Sequence, residues 1–480
     1  PFKQYSKTAM EALFGDLLKI MSKMDNEASI TCVSLLRNFT KLYPKEMIEL
    51  SRPEIEKILS NRNQLDHPEM RFYVIFNLIN ALCVKHFNRN NESPLNDLPL
   101  LEYFLIIVDI ICHSHILIKI GLITCNSLIQ CSNQIANDKR VIEFVSSVIN
   151  NRDLMLQFKI EGFQICRSLF KKSHTIHFEA FFDVLFNLAF DSEITDTEDS
   201  INNAFSSLKD LISNKGNEFN LSNTYHIFFN LLQKYNHKLS VTDNFPQIRL
   251  RWILDIICKY IYCLDNKFKP FSQDLVTELI KTSGVHRDLA YEDVLIVFSH
   301  LCIALRKEFD YSQNVLELVE YGMNSQSPSI MKTSFELYSD LFLNVGTQNF
   351  NPIEMMFHIR GNFPFIFEMI KFSFIECFAK MLLGPEKENS SPKNVVQFPP
   401  EFLDEYKSII DGEISRNLYD PQSSDFDLRY ATEFYKSVFY FYAAFFDRTE
   451  KGNEDMANAK SFICKQVFQC YKSGTYKSID

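Results

Sequence analysis

Apolar residues recur at three- and four-residue spacing along nearly the whole of this 480-residue chain, with few residues able to break the pattern. Ile30, Val33, Leu36 and Phe39 make one such series and Leu403, Tyr406, Ile409 and Ile410 another, and each falls on one stripe of a helix. Only 12 glycines and 16 prolines serve the entire length, against 45 Phe and 20 Tyr. That supply is too thin for the tight hairpins of a sandwich, barrel or propeller. Dinucleotide and P-loop folds need clustered glycines for close backbone approach to phosphate, and no such cluster occurs. The pattern predicts an all-α protein.

Roughly twenty segments of helical length are separated by short polar connections, as in stacks of antiparallel helix pairs. Among them are 5–23, 28–43, 70–87, 153–170, 178–190, 247–264, 289–307, 329–343, 364–382 and 425–446. A shared start signal orders some of these. Pro68-Glu-Met-Arg71 and Pro246-Gln-Ile-Arg249 each put proline first, an apolar residue two later and arginine next, and Pro328-Ser-Ile-Met-Lys332 is a looser copy. Proline suits a first helical turn, where its missing N–H would have no intrahelical partner. The three prolines lie 178 and 82 residues apart, about four and two periods of the roughly 40–47 residues of HEAT and armadillo units. Proline, apolar and basic residues opening the second helix of a pair resemble the HEAT pattern, and at that period the chain would hold about eleven pairs. The expectation is a single continuous α-solenoid over residues 1–480, a superhelix of HEAT/armadillo-like repeats, with enlarged loops near 88–99, 191–199 and 384–400.

Composition narrows the function. With 46% hydrophobic residues the chain can bury a core, which excludes a disordered tail. Fifty Lys and Arg against 60 Asp and Glu give a net charge of −10, and no basic stripe offsets it, so basic proteins are better partners than nucleic acid. The 12 cysteines are scattered, with Cys32, Cys83, Cys112, Cys302 and Cys377 in apolar stretches as buried thiols would be, and no CxxC pair occurs. Cys112, His113 and His115, followed by His174 and His177, come nearest to a zinc pattern but lack a matched second pair. His174 and His177 therefore read as surface residues at a helix start. Nucleophile elbow, HExxH and kinase signatures are all missing, so neither catalysis nor a cofactor is expected. The most lipid-like stretch, 98–125, carries Glu102, Asp109 and Lys119 and reads as two buried helices. The chain opens at Pro1 without an initiator Met, as a fragment or a trimmed protein does.

Two constellations have alternative readings. Asp191, Glu193, Asp196, Glu198 and Asp199 crowd nine residues and form a candidate site for a basic partner, through charge complementarity. Alternatively the segment is a solvated connection in which Asp199 and Ser200 cap a helix starting near Ile201; the cap is the simpler reading. Phenylalanine runs at 363–367, 372–378 and 439–446 are either grooves for an aromatic ligand or filling between stacked helices, and a thin solenoid core favours filling.

From Glu292 to Phe309 the sequence reads EDVLIVFSHLCIALRKEF, with an apolar helix following to near Gly322. This resembles the carboxyl-terminal half of the importin-β (karyopherin-β) family of nuclear transport receptors. There a Glu-Asp-small-Leu opening leads to a small residue, a Leu ladder and a closing Glu-Phe. LVTELIKTSGVHR, 275–287, is similar to the preceding helix of that family, and FLDEYKSIIDG, 402–412, resembles its Tyr-x-Gly-Ile-x-Gln-Gly helix, with Ser408 and Asp411 in place of Gly and Gln. The resemblance covers 275–465 in pieces. It implies a shuttling receptor of cytoplasm and nucleus that holds basic cargo, or the basic helix of an importin-α-like adaptor, on an acidic face. It further implies Phe-Gly nucleoporins as partners and release by Ran-GTP, with no membrane insertion. The family also carries an acidic loop in a central repeat; 191–199 is similar in character but lies much nearer to Glu292 than the family spacing. The alternative is a helical-repeat scaffold subunit of a phosphatase, coat or chromosome-associated complex.

Overall fold

A computed structural model describes residues 7–24, 26–83, 98–151, 154–174, 178–190, 198–215, 221–237, 246–310, 313–345 and 360–383, together with Glu433, Lys436, Ser437 and Tyr440. The described residues contain helices and turns and no strand. The chain divides into two compact units, 1–219 and 220–480.

In the first unit the helices are α1 (Lys7–Met21), α2 (Asn26–Leu42), α3 (Pro44–Ser60), α4 (Pro68–Leu82), α5 (Leu100–His113), α6 (Ile118–Cys131), the single turn α7 (Asn133–Ala136), α8 (Lys139–Asn150), α9 (Leu156–Lys172), α10 (Phe178–Phe190) and α11 (Glu198–Lys215). They pack as five consecutive pairs: α1 with α2, α3 with α4, α5 with α6, α8 with α9, α10 with α11. The second helix of each pair also packs on the second helix of the next, giving the series α2, α4, α6, α9, α11. The second unit repeats the scheme with α12 (Leu221–His237), α13 (Pro246–Leu264), α14 (Lys269–Val285), α15 (Arg287–Leu305), α16 (Gln313–Met323), α17 (Pro328–Asp340) and α18 (Pro364–Leu383). Its second helices α13, α15 and α17 form the corresponding series, and α18 packs on α17 to continue it. The expected helix spacing is borne out. Pro68, Pro246 and Pro328 open α4, α13 and α17, all second helices; along the chain the second of these lies four pairs on from the first, and the third two pairs on from the second. The lipid-like stretch resolves into α5 and α6, and among the described residues no helix is long and apolar enough to cross a membrane.

The two kinds of helix differ in burial for a geometric reason. A first helix such as α8 needs only one narrow stripe, Val141, Val145 and Ile149, all buried against α9. Its start is fixed by Asp138, whose carboxylate accepts from the Arg140 backbone N–H at 2.9 Å and from its guanidinium, a hydrogen bond that holds the acid below its usual range. A second helix touches its own partner and a second helix on either side, so α4 buries every residue from Phe72 to Leu82. The phenylalanine surplus fills the core from both kinds of helix: Phe76, Phe163 and Phe170 on second helices and Phe104, Phe181 and Phe228 on first helices are fully enclosed. In the run 372–378, Phe372, Phe374 and Phe378 are buried, which bears out core filling there, whereas Phe365 is 78% exposed. Cys32, Cys302 and Cys377 are buried as expected; Cys112 is exposed and Cys83 half-buried, because each sits at the end of its helix where the apolar stripe runs out.

Close crossings depend on glycine. A Cβ on Gly322 of α16 would stand 2.0 Å from Ser334 Oγ of α17 and 3.4 Å from Tyr291 Cε1, whereas one on Gly15 of α1 would meet nothing. Gly322→Ala should therefore cost about 1–3 kcal/mol as overpacking, and Gly15→Ala should gain up to about 1 kcal/mol from helix propensity. Urea unfolding midpoints check both signs; equal shifts for the two would contradict the crossing geometry.

Candidate protein-binding surface

The stacked second helices are tied to one another by polar rungs. In the first unit Arg37 of α2 donates to Asn80 of α4 at 2.7 Å, Ser127 of α6 donates to the same Asn80 oxygen at 2.6 Å, Gln130 of α6 donates to Ser168 of α9 at 3.0 Å, and Arg167 of α9 donates to Asp210 of α11 at 2.6 Å. In the second, Arg251 of α13 donates to Asp293 of α15 at 2.9 Å, and the Ser299 hydroxyl of α15 donates to Asp340 of α17. Each rung crosses one repeat, 38 to 47 residues along the chain. They follow from helices at a repeat's spacing lying side by side, so that donors on one meet acceptors on the next.

On α17 the rungs leave charge unneutralised. Glu336 and Asp340 stand one helical turn apart, both half-buried, and among the described residues neither has an ion pair. Burial raises both carboxyls: Glu336 is moved up despite Lys332, and Asp340 is pushed up to about 6 although Ser299 donates to it and Lys380 lies near. Asp293 is also raised by burial, with Arg251 opposing. On α18, Glu376 is satisfied by Lys380 at 2.5 Å and by Lys436 at 2.9 Å. α15 also carries exposed Ile296 and Ile303, two turns apart and on the helical face that holds Ser299. Desolvated carboxylates beside exposed isoleucines form a surface that a basic amphipathic helix would complement in charge and in apolar contact.

Asp191, Glu193 and Asp196 fall outside the described residues. Glu198 and Asp199 are exposed in the first turn of α11, where acids favour the helix dipole. The helix starts at Glu198, not near Ile201, so Asp199 and Ser200 lie inside its first turn instead of capping it; the dipole tolerates a start on acidic residues. His174 likewise follows the end of α9, with its backbone N–H donated to Asn137 Oδ1 at 2.7 Å, and His177 lies outside the described residues. No group of three or more His, Cys, Asp or Glu among the described residues could hold a metal ion. The α17 pair was invisible in the sequence as a site, since an i, i+4 pair of acids on a helix is ordinarily solvated.

No family model matches the sequence, and no curated protein matches it. Solved structures do. A crystal structure of importin beta in a polyethylene glycol condition superposes with TM-score 0.67 at 13% identity, covering 98% of this chain and 58% of that one. A second, of importin beta in an ammonium sulfate condition, gives TM-score 0.60 at 12% identity, covering 98% and 55%. The chain thus spans just over half the length of these two structures. The fold is the importin-β type of HEAT-repeat helix stack.

Proposed function

We propose that this importin-β-like stack is a non-enzymatic nuclear transport receptor. It binds a basic amphipathic segment of a cargo or adaptor on its second-helix layer and meets Phe-Gly repeats of pore proteins through exposed apolar sites, shuttling between cytoplasm and nucleus. The observation that carries the reading is the pair Glu336 and Asp340, half-buried carboxylates without an ion pair among the described residues, on a layer otherwise closed by rungs. Burying such charge without a partner is unfavourable to the fold, and a lysine or arginine entering from a second protein would relieve it. Phe365 and Met369, exposed one turn apart at the start of α18, supply an apolar landing for phenylalanine side chains.

Two measurements test this. A basic amphipathic helical peptide should bind with an affinity that falls as salt rises, since the attraction is between charges. Replacing Asp191, Glu193, Asp196, Glu198 and Asp199 by Asn and Gln separates the acidic segment's share: a weaker, flatter salt response would place part of the contact there. Immobilised Phe-Gly repeats should retain the chain, with Ran-GTP added in a parallel column to look for release of the peptide. A chain that neither stays on the Phe-Gly column nor binds the peptide in a salt-dependent way would end the proposal.

A further inference from the structure

Helices α4 and α6 run side by side in a constant register. The Thr124 hydroxyl donates to the Phe76 carbonyl at 3.1 Å, 48 residues apart, and one turn on Ser127 meets Asn80, 47 residues apart. Continuing both helices by another turn brings Cys83, which caps α4, to Cys131, the last residue of α6, again 48 residues apart. The two side chains are hydrogen-bonded, thiol to thiol, and both are half-buried. Arg37 of α2, held by Asn80 one turn below, faces the same pair.

We propose that Cys83 and Cys131 are a redox pair that closes to a disulfide on exposure to a hydroperoxide, joining the second helices of two consecutive repeats. The chemistry balances with hydrogen peroxide as oxidant. One thiolate attacks a peroxide oxygen, giving a sulfenic acid and releasing hydroxide, which takes up the proton lost by the thiol. The second thiol then displaces water from the sulfenic sulfur to form the S–S bond. Two thiols and one peroxide become one disulfide and two waters, and a dithiol reductant reverses it. The shared hydrogen bond raises the Cys83 thiol well above its ordinary value, reinforced by burial and by Cys131, with Arg37 opposing; because the two sulfurs share that bond their protonation is linked, and either can start with the other as resolving thiol. Cys83 stands at a helix end, where the backbone can give enough to reach the ~2.05 Å bond length. In a reducing compartment the pair rests as dithiols and closes only on oxidant exposure.

The test uses the reduced, full chain treated with hydrogen peroxide, alkylated, digested and mapped by mass. The expected product is a peptide joining Cys83 to Cys131, two hydrogen atoms lighter than the separate peptides and cleared by dithiothreitol. Exposed Cys112, which lies near the fully enclosed Cys125 thiol, should be found alkylated or singly oxidised. In Cys131→Ser the crosslink should vanish, and circular dichroism confirms that the variant is folded. The parent chain decides alone: if Cys83 and Cys131 are oxidised without being linked, or both remain alkylatable after Cys112 has reacted, the pair is not a switch.

Discussion

Asp340→Asn is expected to make the protein more stable above pH 6 while weakening its hold on a basic helix. The carboxyl is pushed up to about 6 by burial in the fold, against an unfolded value of 3.8. A raised carboxyl favours the native state only while protonated. Its contribution is intact below the unfolded value and is lost as pH rises through the folded one, in the window from about pH 4 to about pH 6. A displacement of that size is worth about 3 kcal/mol at neutral pH. Asn keeps an oxygen for the Ser299 hydroxyl without the charge, so most of that loss should be recovered. Nearby His300 titrates in the opposite sense, pushed down by burial and by Lys259, and its stabilising effect is lost as pH falls. Comparing variant with parent cancels that contribution. Thermal melts from pH 4 to pH 8 should converge at the acid end and separate toward pH 8, with the variant higher. The same variant should bind a basic amphipathic helix about tenfold more weakly or worse, as loss of a close charge pair predicts. A variant no more stable than the parent at pH 8 would show that the carboxylate is already compensated and would remove the main support for the binding surface.

Phe374→Ala should cause the largest loss of stability. Phe374 is 1% exposed on α18, with its ring 4.5 Å from Phe335 of α17, 4.7 Å from Phe378 and 5.7 Å from Phe367. Truncating such a residue costs about 3–5 kcal/mol, because the rings around it cannot collapse into the space. In a stack whose repeats touch only their neighbours, that cost is felt locally. Hydrogen exchange should therefore quicken in α17 and α18 while α1 to α11 keep their protection. Uniform acceleration across both units, or no change in the melt, would contradict the nearest-neighbour architecture.

Much of this fold could be read from particular residues. Pro68, Pro246 and Pro328 announced second helices because a fixed φ and a missing N–H suit only a helix start, and their separations counted the intervening repeats. Periodicity likewise divided 98–125 into α5 and α6, since Glu102, Asp109 and Lys119 forbid a membrane span. The proposed binding surface was not legible. Glu336 and Asp340 look like any acidic pair on a helix until Ser299, 41 residues earlier, is seen to face Asp340. Cys83 and Cys131 look like scattered singletons until the register of α4 and α6 aligns them. Both depend on which residues of successive repeats become lateral neighbours, and hydrophobic spacing within one helix carries no record of that. The acidic segment stood out for the reverse reason, as local crowding that any reader of the chain can see.

The rungs bear on how such a chain can diverge. Arg meets Asn, Gln meets Ser, Arg meets Asp and Ser meets Asp, so no particular pair of side chains is required, only a donor opposite an acceptor. A substitution on one helix can be answered on the helix beside it, or, where one acceptor serves two donors as Asn80 does, on the two helices that flank it. Architecture of this kind asks little of residue identity, which fits one backbone arrangement being shared at 13% identity.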